Sequence, residues 1–321
     1  MKKLINKHNV LKTLSVIMIL AMMLSFTACG KKDGGSGGGS GDSGGSGGAE
    51  DTTAVMTEVT EKISAVNSYT FDMTMDIGME FREQSMDMKT TSTGEAISKP
   101  LAAHMKATSE MGALGSYETE SYVREEDGKT AVYTGMDLGD GEIMWIKQTE
   151  DIGSTSAQFN AQASIDMYVK SADSFSEAGT EDVNGKKATR YDGIIKGEAM
   201  KDAIEASGIG EEMGMVGDID ISDLFEESDE LIVSIWVTED KMPIKYEMDM
   251  TSVMKTIVDK VMEQESPGTT VGINKALISM TFTGFDNVDK IDIPEDVINN
   301  AASFDDADLL GLEEELEEEG N

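Results

Sequence analysis

The most regular feature of the chain is an alternation of apolar and polar side chains between Tyr69 and Phe81. Every odd position is apolar, and every even position is polar or glycine. Because successive side chains of a β-strand point to opposite faces, this pattern predicts one long strand with an apolar face and a polar face. A helix would spread the same residues around its circumference. The apolar members are Tyr69, Phe71, Met73, Met75, Ile77, Met79 and Phe81.

Shorter segments of the same kind follow, separated by turn residues. Asn184-Gly185 and the acidic turn 125–129 each predict a hairpin. The segment 231–237 is apolar on both faces and predicts a central strand, whereas 291–294 predicts a short edge strand that ends at Pro294. The predicted strands after the first are 85–93, 101–111, 117–124, 130–134, 143–146, 181–183, 187–195, 231–237, 244–250, 275–285 and 291–294.

Helical spacing of apolar residues appears in segments that do not alternate regularly with the strands. Helices are predicted over 51–67, with Asp51, Thr52 and Thr53 as possible N-caps, and over 156–175, 197–207 and 253–262. The order of elements has no βαβ repeat. We therefore expect an α+β fold, in which a curved antiparallel sheet forms an open half-barrel of about ten strands with helices packed on one face.

The N-terminus has the features of a secretory signal. Four lysines precede an uncharged run over 14–28, which is shorter than the ~20 residues needed to span a bilayer as a helix. The run ends in Thr27, Ala28 and Cys29, and this end resembles the lipobox of bacterial lipoproteins, with Phe26 in place of the usual leucine. The resemblance implies that Cys29 is acylated and anchors the protein on the extracytoplasmic side of the cell membrane.

Composition divides the remainder of the chain. Residues 33–48 comprise ten glycines, four serines and two aspartates, which is typical of a flexible tether. We therefore expect a signal peptide over 1–28, the acylated cysteine and tether over 29–48, a folded body over 49–304 and an acidic, disordered tail over 305–321. Within the body, the segment 209–228 mixes glycine, methionine and aspartate and is predicted to be mobile.

The chain is strongly acidic. Its net charge is −36, and because the first 28 residues contain four lysines and no acidic residue, their removal leaves a net charge of −40. Nucleic acid is therefore not an expected partner, since binding phosphates requires clustered lysine and arginine. The single cysteine excludes an intramolecular disulfide.

Few residues suit catalysis or metal binding. His104 is the one histidine outside the predicted leader, so an activated serine would have no other histidine as its base. The segment 218–223 begins like a calcium loop but has Asp223 where that loop requires glycine. We expect neither an enzyme nor a metal site or cofactor. Binding of Cu(I) by methionine thioethers is a weaker alternative.

Three segments carry a resemblance to a known group: 66–71 after the first helix, 231–250, and 285–294. Together with the order of elements they resemble the LolA-like half-barrel lipoproteins, including the mycobacterial LppX and LprG type and the uncharacterised Met-rich lipoproteins of Firmicutes. In better-known members, helices cover the concave face of an unclosed barrel and enclose an apolar pocket for acyl chains. The resemblance implies a similar pocket here.

Methionine is abundant, with 20 of 24 residues outside the leader. Its flexible, polarisable side chain suits a surface that adapts to apolar ligands, but it also fills ordinary cores. The first hypothesis is a monomeric lipoprotein that holds a lipid acyl chain; the alternative is a non-catalytic interaction module with a filled core and an acidic recruiting surface, whose protein partner the sequence does not identify. The predicted ligand-binding residues are Phe71, Met73, Met75, Ile77, Met79, Met248 and Met250.

Overall fold

The computed structural model describes residues 51–81, 84–112, 115–126, 128–137, 143–151, 161–172, 174–197, 199–200, 230–265 and 270–303. The predicted signal segment, Cys29, the tether, the calcium-like segment 218–223 within 209–228 and the acidic tail lie outside these ranges. Most of the predicted helix 197–207 also lies outside them.

Twelve strands of the described residues form one sheet. Their order is β12-β6-β5-β4-β3-β2-β1-β11-β10-β9-β8-β7, and every neighbouring pair is antiparallel except β12 with β6. The curved sheet is open, because this order begins and ends at different strands. The strands are β1 (Ser68–Phe81), β2 (Gln84–Ile97), β3 (Ala102–Glu110), β4 (Ser116–Glu126), β5 (Lys129–Asp137), β6 (Ile143–Asp151), β7 (Phe175–Val183), β8 (Lys186–Lys196), β9 (Glu230–Val237), β10 (Pro243–Asp249), β11 (Val271–Phe285) and β12 (Ala302–Ser303).

Four helices complete the described fold: α1 (Thr52–Ser64), α2 (Ala161–Ser171), α3 (Thr251–Glu265) and α4 (Glu295–Asn300). The apolar side chains of α1, α2 and α3 join one large core with the odd-numbered residues of β1. We call that side of the sheet the inner face and the opposite side the outer face. Of the three possible N-caps, Asp51 is the one observed, since the backbone N–H of Thr53 donates to the Asp51 carboxylate at 3.1 Å.

The predicted α+β architecture is confirmed, and its most regular elements are found where the sequence places them. β1 contains the whole alternating segment, and β9 lies between β8 and β10 as a central strand. The Asn184-Gly185 hairpin joins β7 to β8, with both residues at positive φ (52° and 78°), as a tight hairpin turn requires.

One predicted helix is too long at its C-terminal end. Helix α2 ends at Ser171, and Phe175 begins β7 instead of extending the helix. The Phe175 ring lies directly over Gly193 of β8, where an added Cβ would come within 2.7 Å of the ring. A glycine on the neighbouring strand therefore creates the space for this phenylalanine, and the spacing within the helix pattern gives no sign of it.

The predicted edge strand 291–294 is wrong. This segment has no strand pairing; it runs over the outer face, where Ile293 and Val297 pack in one cluster with Tyr122 and Tyr133. Pro294 lacks an N–H for strand pairing and instead precedes the first turn of α4. Ile293 is therefore buried against the surface of the sheet and is not paired at its edge. The chain pairs with β6 only later, through β12.

We expect Ile293→Ala to lower the free energy of unfolding by at least ~2 kcal/mol, because it removes a buried side chain between the C-terminal segment and the outer face. Ile298→Ala is the matched control, since Ile298 lies on α4 and is 37% exposed. The control should stay within ~0.5 kcal/mol of the wild type. Urea unfolding measures both, and equal losses in the two variants would contradict this packing.

A polar cluster near the end of β4 connects three strands of the outer face. Glu126 accepts hydrogen bonds from Lys147 at 2.8 Å, Tyr133 at 3.1 Å and the Arg124 Nε at 3.0 Å. Burial by itself would raise the pKa of Glu126, but the hydrogen bonds from Lys147, Arg124 and Tyr133 outweigh it and lower the pKa to about 2. The charged form of Glu126 therefore stabilises the fold.

Because the pKa of Glu126 in the folded state lies below its ordinary value of 4.5, its contribution is present above pH 4.5 and is lost as the pH falls toward 2. We expect Glu126→Gln to be about 1–2 kcal/mol less stable than the wild type at pH 7, a figure reduced for solvent screening of a partly exposed group. The difference should shrink at pH 3. Unfolding curves at both pH values test this, and an equal loss of stability at pH 7 and pH 3 would contradict it.

Candidate functional site

All seven residues predicted to bind ligand lie in the core of the inner face. None is more than 8% exposed, and all belong to the same apolar cluster. The structure therefore brings the predicted set together, although β11 separates the β1 members from those of β10. We call this set and its β11 neighbours the methionine wall, which comprises Phe71, Met73, Met75, Ile77, Met79, Met248, Met250, Ile278 and Met280.

The strand register builds the methionine wall row by row. Met75 of β1 lies opposite Ile278 of β11, which in turn lies opposite Met248 of β10. In the next row, Met280 occupies the corresponding place between Met73 and Tyr246. Side chains directly opposite one another on antiparallel strands have their Cβ atoms only ~4.5–5.5 Å apart. The wall is therefore a continuous surface of flexible thioethers and branched aliphatic groups.

Three helices pack over the inner face. The main contacts of α3 with the sheet are with β11 and β9, whereas α1 contacts β7 and α2 contacts β8. The stripe predicted for α3 is largely confirmed, since Val253, Met254, Ile257, Val258 and Met262 are all buried in the same core as the methionine wall. These helix side chains are the groups that a ligand on the wall would have to displace.

Sequence reasoning missed the β11 residues of the wall. Ile278 and Met280 belong to a period-two series with Ala276 and Phe282, and this alternation is visible in the sequence. Leu277, an apolar residue on the opposite face, weakens the contrast between the two faces of this strand. The register opposite β1 supplies the assignment that the pattern alone does not.

One end of the methionine wall is aromatic. The rings of Tyr69 and Phe282 meet edge to face at 5.5 Å, and Tyr246 lies 6.3 Å from Phe282 and 6.0 Å from Tyr168. Burial raises the pKa of both Tyr168 and Tyr246 above the ordinary tyrosine value. Their hydroxyls therefore stay neutral, and this end of the wall carries no charge at physiological pH.

Phe71 extends the wall toward β2. Its ring lies over Gly94, where an added Cβ would come within 2.5 Å of the ring. Beyond this contact the inner face changes character, since its buried side chains on β2 to β5 include five hydroxyl groups. They are Thr90, Ser92, Ser109, Ser121 and Thr130.

The single histidine of the described chain lies on the outer face, as its polar alternation predicts. A hydrogen bond of 2.8 Å joins the His104 Nε2 to a Glu120 oxygen, which also accepts from the Tyr122 hydroxyl at 2.9 Å. Burial would raise the pKa of Glu120, but hydrogen bonds from His104, Tyr122 and Lys106 outweigh it and lower the pKa. This cluster is a structural ion-pair network, and the sheet separates it from the methionine wall.

Metal-binding clusters and membrane-spanning helices are both missing from the described residues. Within them, no group of three or more His, Cys, Asp or Glu side chains is placed to hold a metal ion. Of the helices in the same part of the chain, none is long and apolar enough to cross a bilayer.

These features define the class of protein: an open antiparallel half-barrel whose inner face is apolar and covered by helices. The chain belongs to the family of unknown function DUF6612, which matches residues 51–302. A search among curated proteins found no match.

Solved structures with the same general architecture have low sequence identity to this chain. LprF from Mycobacterium bovis has a TM-score of 0.41 at 9% identity, covering 76% of this chain and 96% of its own. The Mycobacterium tuberculosis lipoprotein LppX has a TM-score of 0.36 at 11% identity, covering 74% and 98%. A LolA superfamily protein from Nitrosomonas europaea has a TM-score of 0.22 at 8% identity, covering 78% and 97%.

LppX and the LolA superfamily are groups that the sequence resemblance named, so that prediction is confirmed at this level of similarity. The narrower resemblance to Met-rich lipoproteins of Firmicutes stays a prediction. All three TM-scores are below 0.5. These similarities therefore carry no function over to this chain.

The double substitution Met73→Leu and Met75→Leu should leave the fold intact, because leucine and methionine have similar volume and cost less than ~1.5 kcal/mol per exchange in a core. Met73→Asp with Met75→Asp should abolish folding, because two carboxylates would be buried without partners. Far-UV circular dichroism with thermal unfolding distinguishes the two pairs. Unfolding of the leucine pair would show that the wall requires methionine shape and would reject an adaptable lining.

Proposed function

We propose that the protein is a lipid-anchored, extracytoplasmic binding protein that holds a hydrophobic ligand, the acyl chain of a lipid, against the methionine wall. The observation that supports this most directly is the continuity of the wall across β1, β11 and β10. An ordinary core needs apolar volume, but it does not need flexible side chains aligned in rows. An extended acyl chain fits a surface of that shape.

The physical basis of binding would be burial of apolar surface. Each Å² of apolar surface removed from water contributes about 25 cal/mol, so a long acyl chain could compensate for the helix contacts it displaces. Methionine has three rotatable bonds in its side chain and can repack around chains of different length. The ligand would replace side chains such as Met254 and Met262 of α3, which belong to the same buried core as the wall.

The proposed anchor rests on the sequence. Acylation of Cys29 would fix the chain to the outer surface of the cell membrane, and the tether 33–48 would let the acidic body stay away from the anionic bilayer. A binding body held near a membrane has lipid available to it. We also propose that the protein binds its ligand without catalysing a reaction.

One observation favours a second function, the interaction module. All seven predicted ligand residues are already buried by the protein's own side chains, as they would be in a filled core. In that case the acidic outer surface would recruit a basic protein or a cationic component of the cell wall. Salt separates the two hypotheses, because charge attraction weakens with ionic strength and apolar burial does not.

The decisive experiment uses the chain 29–321, made without the signal segment so that Cys29 stays unacylated. We expect native mass spectrometry of protein purified from cells to show a mass excess that solvent extraction identifies as lipid. After extraction, the protein should take up a fluorescent fatty-acyl probe equally well in low salt and in 1 M salt, about ten times the 0.1 M reference used for screening. A clean protein mass without uptake of the probe would reject the acyl-chain proposal and favour the interaction module.

A further inference from the structure

Three hydroxyl groups lie directly beside the methionine wall. Ser92 and Thr90 of β2 stand opposite Met73 and Met75 of β1, respectively, and Ser109 of β3 stands opposite Thr90. All three side chains are at least nine-tenths buried on the inner face. We call Thr90, Ser92 and Ser109 the hydroxyl patch.

The hydrogen bonding of the hydroxyl patch is incomplete. Thr90 and Ser109 bond to each other at 2.8 Å, but the Ser92 hydroxyl, on a residue that is only 3% exposed, has no hydrogen-bond partner among the residues that the structure describes. Leaving a buried hydroxyl unpaired costs roughly 1–3 kcal/mol of desolvation free energy. An alanine at the same place would not incur this penalty, because it has no hydroxyl. Each hydroxyl can donate one hydrogen bond and accept two, so the patch retains capacity for a further partner.

The surroundings of Ser92 determine which partner would fit. Its neighbours on the same face are Met73 of β1, Gly94 of β2 and Ala107 of β3, and none of these carries a charge. The charged residues of β2 and β3, such as Lys89, Glu95 and Lys106, alternate with the patch and therefore point to the outer face. A buried carboxylate or phosphate would lack a cation at this place, and burying an unpaired charge is very costly.

The geometry points to a neutral hydrogen-bond acceptor, the carbonyl oxygen of an acyl ester, as the group that Ser92 binds. The Ser92 hydroxyl donates to this carbonyl, Thr90 and Ser109 provide the polar surroundings, and the hydrocarbon chain lies over Met73 and Met75. This assignment rests on the proposed function and makes it more specific. It means that the protein selects ester-linked lipids over free fatty acids.

The small side chains beside Ser92 are consistent with this placement. Ala107 presents only a methyl group next to the hydroxyl, whereas the space above Gly94 is already filled by the Phe71 ring. An ester group is flat and wider than a methylene chain. In this placement the ester would have Ala107 on its β3 side and the Phe71 ring on the side of Gly94.

The test compares three probes of equal chain length on the chain 29–321: methyl hexadecanoate, hexadecanoate and hexadecane, each displacing an uncharged fluorescent dye. The wild type should bind the methyl ester most tightly. Ser92→Ala should weaken binding of the ester about fivefold to tenfold, because one hydrogen bond is lost. The affinity for hexadecane should not change. The infrared carbonyl stretch of the bound ester should shift to higher frequency in the same variant.

Thr130→Val is the matched control. Thr130 is fully buried on the inner face and its hydroxyl also lacks a partner within the described part of the chain, but it lies on β5, three strands away from Ser92. Both variants should fold at least as stably as the wild type, because each removes an unpaired buried hydroxyl. The control should bind the ester like the wild type.

The possible outcomes distinguish the role of Ser92 from acyl-chain binding itself. If the wild type binds hexadecane as tightly as the ester, or if Ser92→Ala and Thr130→Val behave alike toward the ester, the role of Ser92 is rejected while acyl-chain binding stands. If hexadecanoate binds more tightly than the ester, the neutral-acceptor assignment is rejected. If the wild type binds none of the three probes, the proposed function itself is rejected.

Discussion

The register of β1 between β2 and β11 is the constraint on which the rest of the structure depends. β1 pairs over its whole length with β2 on one side and β11 on the other. Because side chains alternate with a period of two, a slip of one residue would move every apolar residue of β1 to the outer face and every polar residue into the core. The alternation from Tyr69 to Phe81 excludes that slip and so fixes the register of both neighbours. The described sheet extends outward from this pairing in both directions.

One consequence of that register is that the two faces of the sheet differ in chemistry. The buried side chains of the inner face are apolar or carry hydroxyl groups, while ion pairs lie on the outer face, including Asp76 with Lys275 and Asp192 with Arg190. Lys245 lies 4.0 Å from the centre of the Trp236 ring, which is packed on the same outer side. The interior of this acidic protein can therefore stay uncharged, because these ion pairs form on the outer side of the sheet. Most of these outer pairs are partly exposed and contribute little stability individually.

The sequence predicts the parts of this structure that local periodicity determines. The β1 strand, the Asp51 cap and the Asn184-Gly185 hairpin follow from patterns confined to a few neighbouring residues. The outer-face course of 291–294 does not, because its alternation resembles a strand and only the packing of Ile293 with Tyr133 shows otherwise. The sequence pattern does not predict the hydroxyl patch either. Thr90 and Ser92 continue the face begun by Met86 and Met88, but a polar residue on an apolar face looks like a break in the pattern until the register is known.

The packing of α3 shows how the methionine wall can be covered by a helix and still be able to bind a ligand. The first turn of α3 is fixed by directional bonds, since the Thr251 N–H donates to Asp249 at 3.0 Å and the Thr251 hydroxyl accepts from the Ala276 N–H at 3.0 Å. Further along, Met254 and Met262 contact the core only through apolar packing, which has no directional requirement. Replacing such a contact with an acyl chain exchanges one apolar surface for another, and the free-energy difference is small compared with breaking the bonds at Thr251. A helix held firmly at one end and packed by flexible side chains along its length can therefore cover the wall in the absence of ligand without preventing ligand from binding.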